Sequence, residues 1–352
     1  MTYKFVKSTL AVASALWLGA ASTAHAQKPI QLELGNWLAS TAAISVGAME
    51  PWKKLVEEKT NGRVKVNLYH GGVLGSSRAV LDDVRGGVYH VGMAIPAYYY
   101  DTAYFKLLVG ELPFAFDGAA IGSKVMTEFV QKNGKDVFDK LGVKDVGVAV
   151  SDPYVILSTK PIRKLEDLKG ERMRVAGKAW VPIVTDWGAV ATPMQPENAY
   201  TALERGTLGV MQYSPAGAAG WKFFEVAPYV TTVNSPTVVV SLIMNKPFYE
   251  KLPDDLKKMF DEELNPAFQQ LVAQTYERGA PEALKKMAEY FKERGKGEVI
   301  NLSPEERSKF VASTQPAWDA WVAEADKRKM GGDAAMADFK EILKKNGIPA
   351  PF

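Results

Sequence analysis

The chain has 352 residues and no cysteine, and its 43 lysines and arginines nearly balance 40 aspartates and glutamates. Hydrophobic residues make up 47% and charged residues 24%, which is typical of a globular protein. This composition excludes a disulfide-stapled miniprotein, a zinc–thiolate site, a cysteine nucleophile and the basic face of a nucleic-acid-binding protein. Three histidines (His25, His70 and His90) are too few to favour a zinc hydrolase. The length predicts two domains.

The first 26 residues have the pattern of a secretory signal peptide. Lys4 and Lys7 give a positive start, Leu10–Ala21 is apolar, and Ala24–Ala26 offers a small–x–small cleavage site before Gln27. A membrane anchor is the alternative, but the apolar run is shorter than the roughly 20 residues that span a bilayer. We therefore expect residues 1–26 to direct export to the periplasm, and the remaining chain to be close to neutral.

Past Gln27, short β-branched and aliphatic runs alternate with amphipathic helical stretches, which predicts an α/β architecture. The glycine-rich segment Gly71–Gly75 is typical of a turn between strand and helix, although such a loop could also hold an anion. Ser77 is expected to cap the helix that follows it. The expected strands are Ile30–Leu34, Val64–Tyr69, Val88–Ala94, Val146–Val150, Val155–Ser158 and Arg172–Val175.

The C-terminal third is predicted to be helical. From Asp254 onward, apolar residues recur at helical spacing, and Pro266 is expected to kink the first of these helices if it is continuous. Ser303–Glu306 has the pattern of a capping box with proline at the first helical position. The sequence therefore predicts two α/β lobes braced by long C-terminal helices.

The sequence lacks the motifs of the common catalytic sites. It contains no nucleophile elbow, Walker loop, dinucleotide fingerprint or zinc-binding helix motif. Acidic pairs such as Asp82-Asp83 fall on predicted exposed helix faces, where they are most simply solvated charges. A binding protein is therefore favoured over an enzyme.

Three features indicate a ligand cleft. Arg172 and Arg174 project from the same face of one strand, where an arginine could hold a carboxylate, although a structural ion pair is equally open. The aromatic run Tyr98–Tyr100 follows a strand end, and Met211–Pro215 is expected to be a pocket-lining loop. Because ligands of open α/β sheets bind at the carboxyl ends of strands, we expect these segments to meet there.

Two segments carry a specific family resemblance, Pro161–Gly177 (PIRKLEDLKGERMRVAG) and Gly188–Gly206 (GAVATPMQPENAYTALERG), supported by Leu68–Ala94 and Asn245–Pro253. On these residues the chain resembles the DctP-like periplasmic solute-binding subunits of TRAP (tripartite ATP-independent periplasmic) transporters. The resemblance covers essentially all of the chain after the signal peptide.

This resemblance implies a two-lobe periplasmic binding protein fold of the type II kind, with hinge strands and a long helix across both lobes. Residues 27–151 with 239–278 would form one lobe, and residues 152–238 with 279–352 the other. It further implies that the protein binds a small organic acid anion without turnover and delivers it to one small and one large integral membrane subunit.

The resemblance places Arg174 on the ligand carboxylate. The chain departs from the family pattern elsewhere: Tyr154 replaces a frequent second arginine, Gln212 and Tyr213 lie where many members have an asparagine motif, and positions that are often polar carry apolar residues (Trp37 and Ile95). Because one arginine offsets one carboxylate, a second buried carboxylate would be an unpaired charge. We therefore expect a monocarboxylate with an apolar or aromatic body. The aromatic residues expected around it are Trp37, Tyr98, Tyr154, Trp180 and Tyr213.

No cofactor and no metal is expected. Three alternatives stay open: a 2-oxo or hydroxy acid bound through a metal near Gln212, a binding protein of an ABC or tripartite tricarboxylate importer, and an enzyme on the same two-lobe scaffold.

Overall fold

The computed structural model describes residue 1 and residues 28–352. Apart from Met1, the predicted signal peptide lies outside the described residues and stays a prediction. The strands are β1 Ile30–Gly35, β2 Val64–Tyr69, β3 Val91–Ala94, β4 Val143–Val150, β5 Val155–Ser158, β6 Arg172–Val175, β7 Val190–Pro193, β8 Val210–Tyr213, β9 Tyr229–Thr231, β10 Val239–Asn245 and β11 Glu298–Ile300.

The α-helices are α1 Glu50–Lys59, α2 Val80–Gly86, α3 Ala119–Asn133, α4 Lys135–Leu141, α5 Val181–Asp186, α6 Pro196–Glu204, α7 Pro215–Trp221, α8 Lys246–Glu250, α9 Asp254–Met259, α10 Asn265–Arg294, α11 Pro304–Ala312, α12 Gln315–Lys327 and α13 Gly332–Lys345. Shorter 3-10 helices are Pro96–Tyr99, Ala103–Glu111, Leu165–Leu168, Lys178–Trp180 and Phe223–Glu225, and π-helical turns are Ser45–Met49 and Phe260–Leu264.

Two sheets form the centres of two lobes, which confirms the predicted fold class. The first sheet has the order β2-β1-β3-β10-β4, and the second has the order β11-β9-β5-β8-β6-β7. In each sheet, parallel strands adjoin one inserted antiparallel strand, β10 in the first and β5 in the second. We call the lobe built on the first sheet the first lobe and the other the second lobe. The exact boundaries predicted from the sequence stay a prediction.

Two short segments carry the chain between the sheets, in addition to the helices that lead from β10 to β11. Residues 151–154 lead from β4 to β5, and residues 232–238 return from β9 to β10. The two crossings are hydrogen-bonded to each other, because Ser151 N donates to Val238 O (2.9 Å) and Tyr154 N donates to Pro236 O (2.8 Å). They therefore form a two-stranded hinge directly beneath the space between the lobes.

The long helix α10 packs against both lobes. This 30-residue helix contacts α3 and β4 of the first lobe and α7 and β11 of the second. Its start is anchored by Trp52, whose ring stacks on Phe268 with centroids 4.5 Å apart and whose Nε1 donates to Leu264 O (2.7 Å). Within the described part of the chain, every helix is too short or too polar to cross a membrane.

Two local predictions are wrong. The kink predicted at Pro266 stays a prediction: this proline lies in the first turn of α10, directly after the π-helical turn Phe260–Leu264, and α10 also runs through Pro281. Ser77 does not cap α2, which begins at Val80 after Ala79. The segment from Met211 to Tyr213 is the strand β8 itself and not a loop.

Candidate ligand-binding cleft

A cleft lies between the two lobes, above the hinge. It encloses about 720 Å³ of empty space, including its opening to solvent. Both lobes, the hinge and α10 contribute to its walls. The lining residues are Trp37, Leu38, Ala39, Ala42, Ala43, Ile44, Ile95, Tyr98, Ser151, Tyr154, Tyr213, Ser214, Ala216, Gly217, Gly220, Trp221, Val238 and Tyr276.

The first-lobe wall comes from residues that follow β1 and β3. Trp37 is 8% exposed, and its Nε1 donates to Met93 O (3.1 Å), which fixes the indole against the end of β3. Ile95 follows β3 directly, and Tyr98 lies in the 3-10 turn after it. That turn separates the three consecutive tyrosines: Tyr98 lines the cleft, whereas the hydroxyl of Tyr99 accepts a hydrogen bond from the backbone N–H of Leu81.

The second-lobe wall is the end of β8 and the helix α7. Tyr213 is the last residue of β8, and Ser214 then caps α7 by accepting a hydrogen bond from Gly217 N (3.0 Å). A Cβ at Gly217 would stand 2.5 Å from the Tyr213 ring, so glycine is required for this close approach. The short turn from strand to helix therefore presents Tyr213 and one face of α7 to the cleft.

Four tyrosines surround one end of the cleft. The Tyr154 ring lies 5.5 Å from the Tyr213 ring, between centroids. Burial raises the pKa of Tyr98 to about 12 and holds the pKa values of Tyr154, Tyr213 and Tyr276 well above the ordinary value, so all four are neutral phenols. Among the described residues, the hydroxyls of Tyr154, Tyr213 and Tyr276 have no hydrogen-bond partner. They are available as donors or acceptors to a bound molecule.

Arg174 is fully buried directly behind this tyrosine cluster. Its Nε donates to Met194 O (2.8 Å) and its Nη1 to Gln212 O (3.3 Å), while Nη2 is buried with no partner. The guanidinium carbon lies 5.4 Å from the centroid of the Tyr213 ring. Within residues 28–352 no carboxylate forms an ion pair with it. Arg174 is thus an uncompensated positive charge with one free donor group at the tyrosine end of the cleft.

Gln212 and Trp180 lie behind the cleft and do not line it. The side chain of Gln212 alternates with that of Tyr213 along β8 and therefore points away, where its Nε2 donates to Ser235 O (3.1 Å). Trp180 is fully buried, and its Nε1 donates to Glu111 Oε2 (2.8 Å). Its ring supports Tyr154 edge-on, with centroids 5.1 Å apart. Of the eight residues that the sequence assigned to the site, the five that line the cleft are Trp37, Ile95, Tyr98, Tyr154 and Tyr213.

Sequence reasoning missed Tyr276 and the buried carboxyl group of Asp152. Tyr276 falls in the apolar stripe of α10, and its position in the sequence therefore predicts only a packed core residue. Asp152 lies in the hinge and is 1% exposed. Its Oδ2 accepts a hydrogen bond from Ala216 N (3.1 Å), its Oδ1 has no partner, and burial raises its pKa to about 7. Among the described residues, no group of three or more histidine or acidic side chains is placed to hold a metal ion.

Direct contacts join the lobes at the rim of the cleft. Ser77 N donates to Glu197 Oε1 (3.2 Å), and Lys178 Nζ pairs with Asp101 Oδ2 (2.6 Å). Gly177 packs against the backbone carbonyl of Ala97. The structure is therefore a form in which the lobes are closed on each other.

Comparisons with known proteins agree on one family. Residues 36–325 match the family model DctP, described as bacterial extracellular solute-binding protein, family 7. The C4-dicarboxylate-binding periplasmic protein DctP of Rhodobacter capsulatus is 25% identical over 324 residues, which are 91% of this chain and 94% of that protein. The crystal structure of a TRAP periplasmic solute-binding protein from Desulfovibrio salexigens is 25% identical, with a TM-score of 0.75 over 90% of this chain and 96% of that chain.

A second TRAP solute-binding protein, from Rhodoferax ferrireducens, shares the fold with a TM-score of 0.82 at 21% identity, over 90% of this chain and 98% of that chain. The resemblance read from the sequence is confirmed by the family match and by these relatives. The chain belongs to the DctP family of bacterial extracellular solute-binding proteins, the periplasmic solute-binding proteins of TRAP transporters.

Proposed function

We propose that this protein captures organic monocarboxylates with an apolar or aromatic body and delivers them to the membrane subunits of a TRAP transporter. The observation that carries this proposal is Arg174 Nη2, which is buried without a partner behind the tyrosine end of a mostly apolar cleft. A buried cation without a counter-ion is costly, and a ligand carboxylate would compensate it through a charge-assisted hydrogen bond.

The charges around the cleft favour one carboxylate over two. None of the residues that line the cleft is charged, and Arg174 behind them supplies positive charge through a guanidinium with two nitrogens already bound to backbone carbonyls. The acidic side chain of Glu197 accepts a hydrogen bond from Ser77 N where the lobes meet. A second carboxylate on the ligand would find no second cation among the cleft-lining residues.

The shape and chemistry of the walls favour a ring. Trp37, Tyr154 and Tyr213 offer aromatic faces and edges, and Ile95 and Val238 add aliphatic surface. Neighbours of the same fold bind varied acids: the Rhodoferax ferrireducens protein was crystallised with copurified benzoate, one from Bordetella bronchiseptica with mandelate, and one from Sulfurospirillum deleyianum with succinate. The ligand class proposed for this chain therefore rests on its own cleft residues.

The proposed mechanism is capture by lobe closure. A ligand that bridges Arg174 and the first-lobe wall stabilises the closed state over the open one. Export through the signal peptide would place the protein in the periplasm, where the closed, loaded form meets the membrane subunits.

A thermal-shift panel on residues 27–352 tests the proposal. The compounds are benzoate, phenylacetate, mandelate and hexanoate, pyruvate with and without Ca²⁺, succinate, and galacturonate. A ligand at about 100 times its Kd stabilises the fold by about 2.7 kcal/mol, which raises Tm by a few degrees. We expect shifts with the first four compounds only. Equal or larger shifts with succinate or galacturonate would contradict the monocarboxylate assignment while leaving the family assignment intact.

A further inference from the structure

We propose that Tyr276 and Asp152 form a second polar subsite, which recognises a hydroxyl group on the ligand and so makes hydroxylated aromatic monocarboxylates the preferred class. This inference rests on the proposed function, because it takes the ligand carboxylate to lie at Arg174.

Three buried side-chain atoms near the cleft have no hydrogen-bond partner among the described residues: Arg174 Nη2, which is a donor, and Gln212 Oε1 and Asp152 Oδ1, which are acceptors. Gln212 lies on the opposite face of β8 from Tyr213, which leaves Arg174 Nη2 and Asp152 Oδ1 beside the cleft. Both side chains are fully or almost fully buried, at 0% and 1% exposure. Because native proteins pair nearly all buried polar atoms, two such atoms beside one cleft indicate a bound molecule with complementary groups at two positions.

Asp152 lies just beneath the polar part of the cleft surface. Its Oδ2 is used by Ala216 N, and its sequence neighbour Ser151 lines the cleft, as do Ser214 and Tyr276. These hydroxyl-bearing residues interrupt walls that are otherwise aliphatic or aromatic. Gly279, three residues after Tyr276 on α10, packs against Ala216, whose backbone N–H donates to Asp152. Asp152 also opposes ionisation of the Tyr276 hydroxyl, after the larger effect of burial.

Tyr276 presents its hydroxyl to the ligand space. That hydroxyl has no protein partner in the described structure, and as a neutral phenol it can accept one hydrogen bond and donate another. A ligand hydroxyl that hydrogen-bonds to Tyr276 would bring a donor to the side of the cleft where Asp152 Oδ1 has no partner. A ligand ring without a hydroxyl would leave the Tyr276 hydroxyl and the Asp152 carboxyl group without partners in a water-poor cleft. The site should therefore discriminate strongly against such a ligand.

The two subsites are built on different residues. The guanidinium carbon of Arg174 lies 5.4 Å from the centroid of the Tyr213 ring, whereas Asp152 accepts a hydrogen bond from Ala216 N in the first turn of α7. A single ligand with a carboxylate and a hydroxyl on one aromatic frame can therefore satisfy both.

The test is isothermal titration calorimetry of the secreted chain with benzoate and its 2-, 3- and 4-hydroxy isomers, and with phenylacetate and its 3- and 4-hydroxy derivatives. We expect at least one hydroxylated compound to bind about 10-fold or more tightly than its parent, in keeping with selection by a site that hydrogen-bonds the hydroxyl. Tyr276→Phe removes only the phenol oxygen and should cut this preference about fivefold or more, while the affinity for the parent acid changes little. Tyr290→Phe, on the same helix α10 but packed against Phe224, is the matched control.

Two results would overturn the subsite. One is a wild-type protein that binds the parent acids as tightly as every hydroxylated derivative. The other is a Tyr276→Phe protein that loses parent and hydroxylated acids to the same extent, since that would make Tyr276 a general wall residue. Failure of all these acids to bind would instead count against the proposed function, so the two failures are distinguishable.

Discussion

At the scale of single residues, Arg174 shows what sequence can and cannot reveal. Its alternation with Arg172 along one strand, and its place after the DLKG segment, identified it as a candidate. The sequence could not show that Nε and Nη1 would be tied to the carbonyls of Met194 and Gln212, because these partners come from other segments. Backbone carbonyls therefore hold the guanidinium in place. Only its remaining N–H hydrogens can bond to a ligand, whereas an unbound arginine could offer two nitrogens to one carboxylate.

The first residue-scale prediction concerns Arg174→Gln. It removes the cation that compensates the ligand carboxylate, so benzoate binding should weaken by about 2–4 kcal/mol, or roughly 30- to 1,000-fold in Kd. Arg172→Gln is the matched control, because Arg172 lies on the same strand but is exposed and bonds only Gly206 O. Calorimetric titration measures both. An Arg174→Gln protein that retains wild-type affinity would remove Arg174 from the site.

At the scale of elements, the β-branched runs located the strands well, and the errors arose where a distant residue decides the local structure. Ser77 has the chemistry of a helix cap, yet its backbone N–H is taken by Glu197 of the other lobe and its own hydroxyl is left without a partner. Trp180 was one of the aromatic residues expected around the ligand, but Glu111, 69 residues away in sequence, holds its indole behind Tyr154. Such pairings depend on how the lobes meet, which no local pattern encodes.

The hinge gives a pH-dependent prediction through Asp152. Burial raises its pKa from 3.8 to about 7, so between these values the folded protein binds this proton more tightly than the unfolded chain does. The stability contributed by this group is complete below the unfolded pKa and is lost as pH rises through about 7. Relative to Asp152→Asn, whose amide oxygen can still accept from Ala216 N, the wild type should therefore lose Tm between pH 5 and pH 8. Differential scanning calorimetry checks this, and a Tm difference that stays constant over the range would exclude Asp152 as the titrating group.

At the scale of the whole molecule, closure brings backbone against backbone. Gly177 follows β6 in the second lobe and packs on the carbonyl oxygen of Ala97 in the first. Its extended backbone, with φ −165°, suits any residue, so conformational freedom is not the reason for glycine here. The reason is steric: a methyl group at this position would overlap that carbonyl oxygen only when the lobes are closed.

Gly177→Ala should consequently impair closure and spare the fold. We expect about a 10-fold or greater loss of benzoate affinity with little change in ligand-free Tm, since backbone atoms cannot move aside as a side chain does. In small-angle X-ray scattering, the radius of gyration should stay large after benzoate is added. Gly86→Ala provides the control, because a Cβ there would meet no atom within 4 Å. Compaction of the Gly177→Ala protein equal to that of wild type would show that this contact does not govern closure.

The inserted strand β10 has a consequence for how the protein acquires its structure. β10 lies between β3 and β4 and is buried along its whole length, although the chain makes the entire second sheet, apart from β11, before reaching it. A polypeptide that ends before residue 239 would have β3 and β4 with their hydrogen-bonding edges unpaired, and such edges invite aggregation. The first lobe therefore cannot be completed before the strands β5–β9 of the second sheet have been made. The two lobes therefore fold cooperatively, because the first sheet is complete only after β10 has paired with β3 and β4.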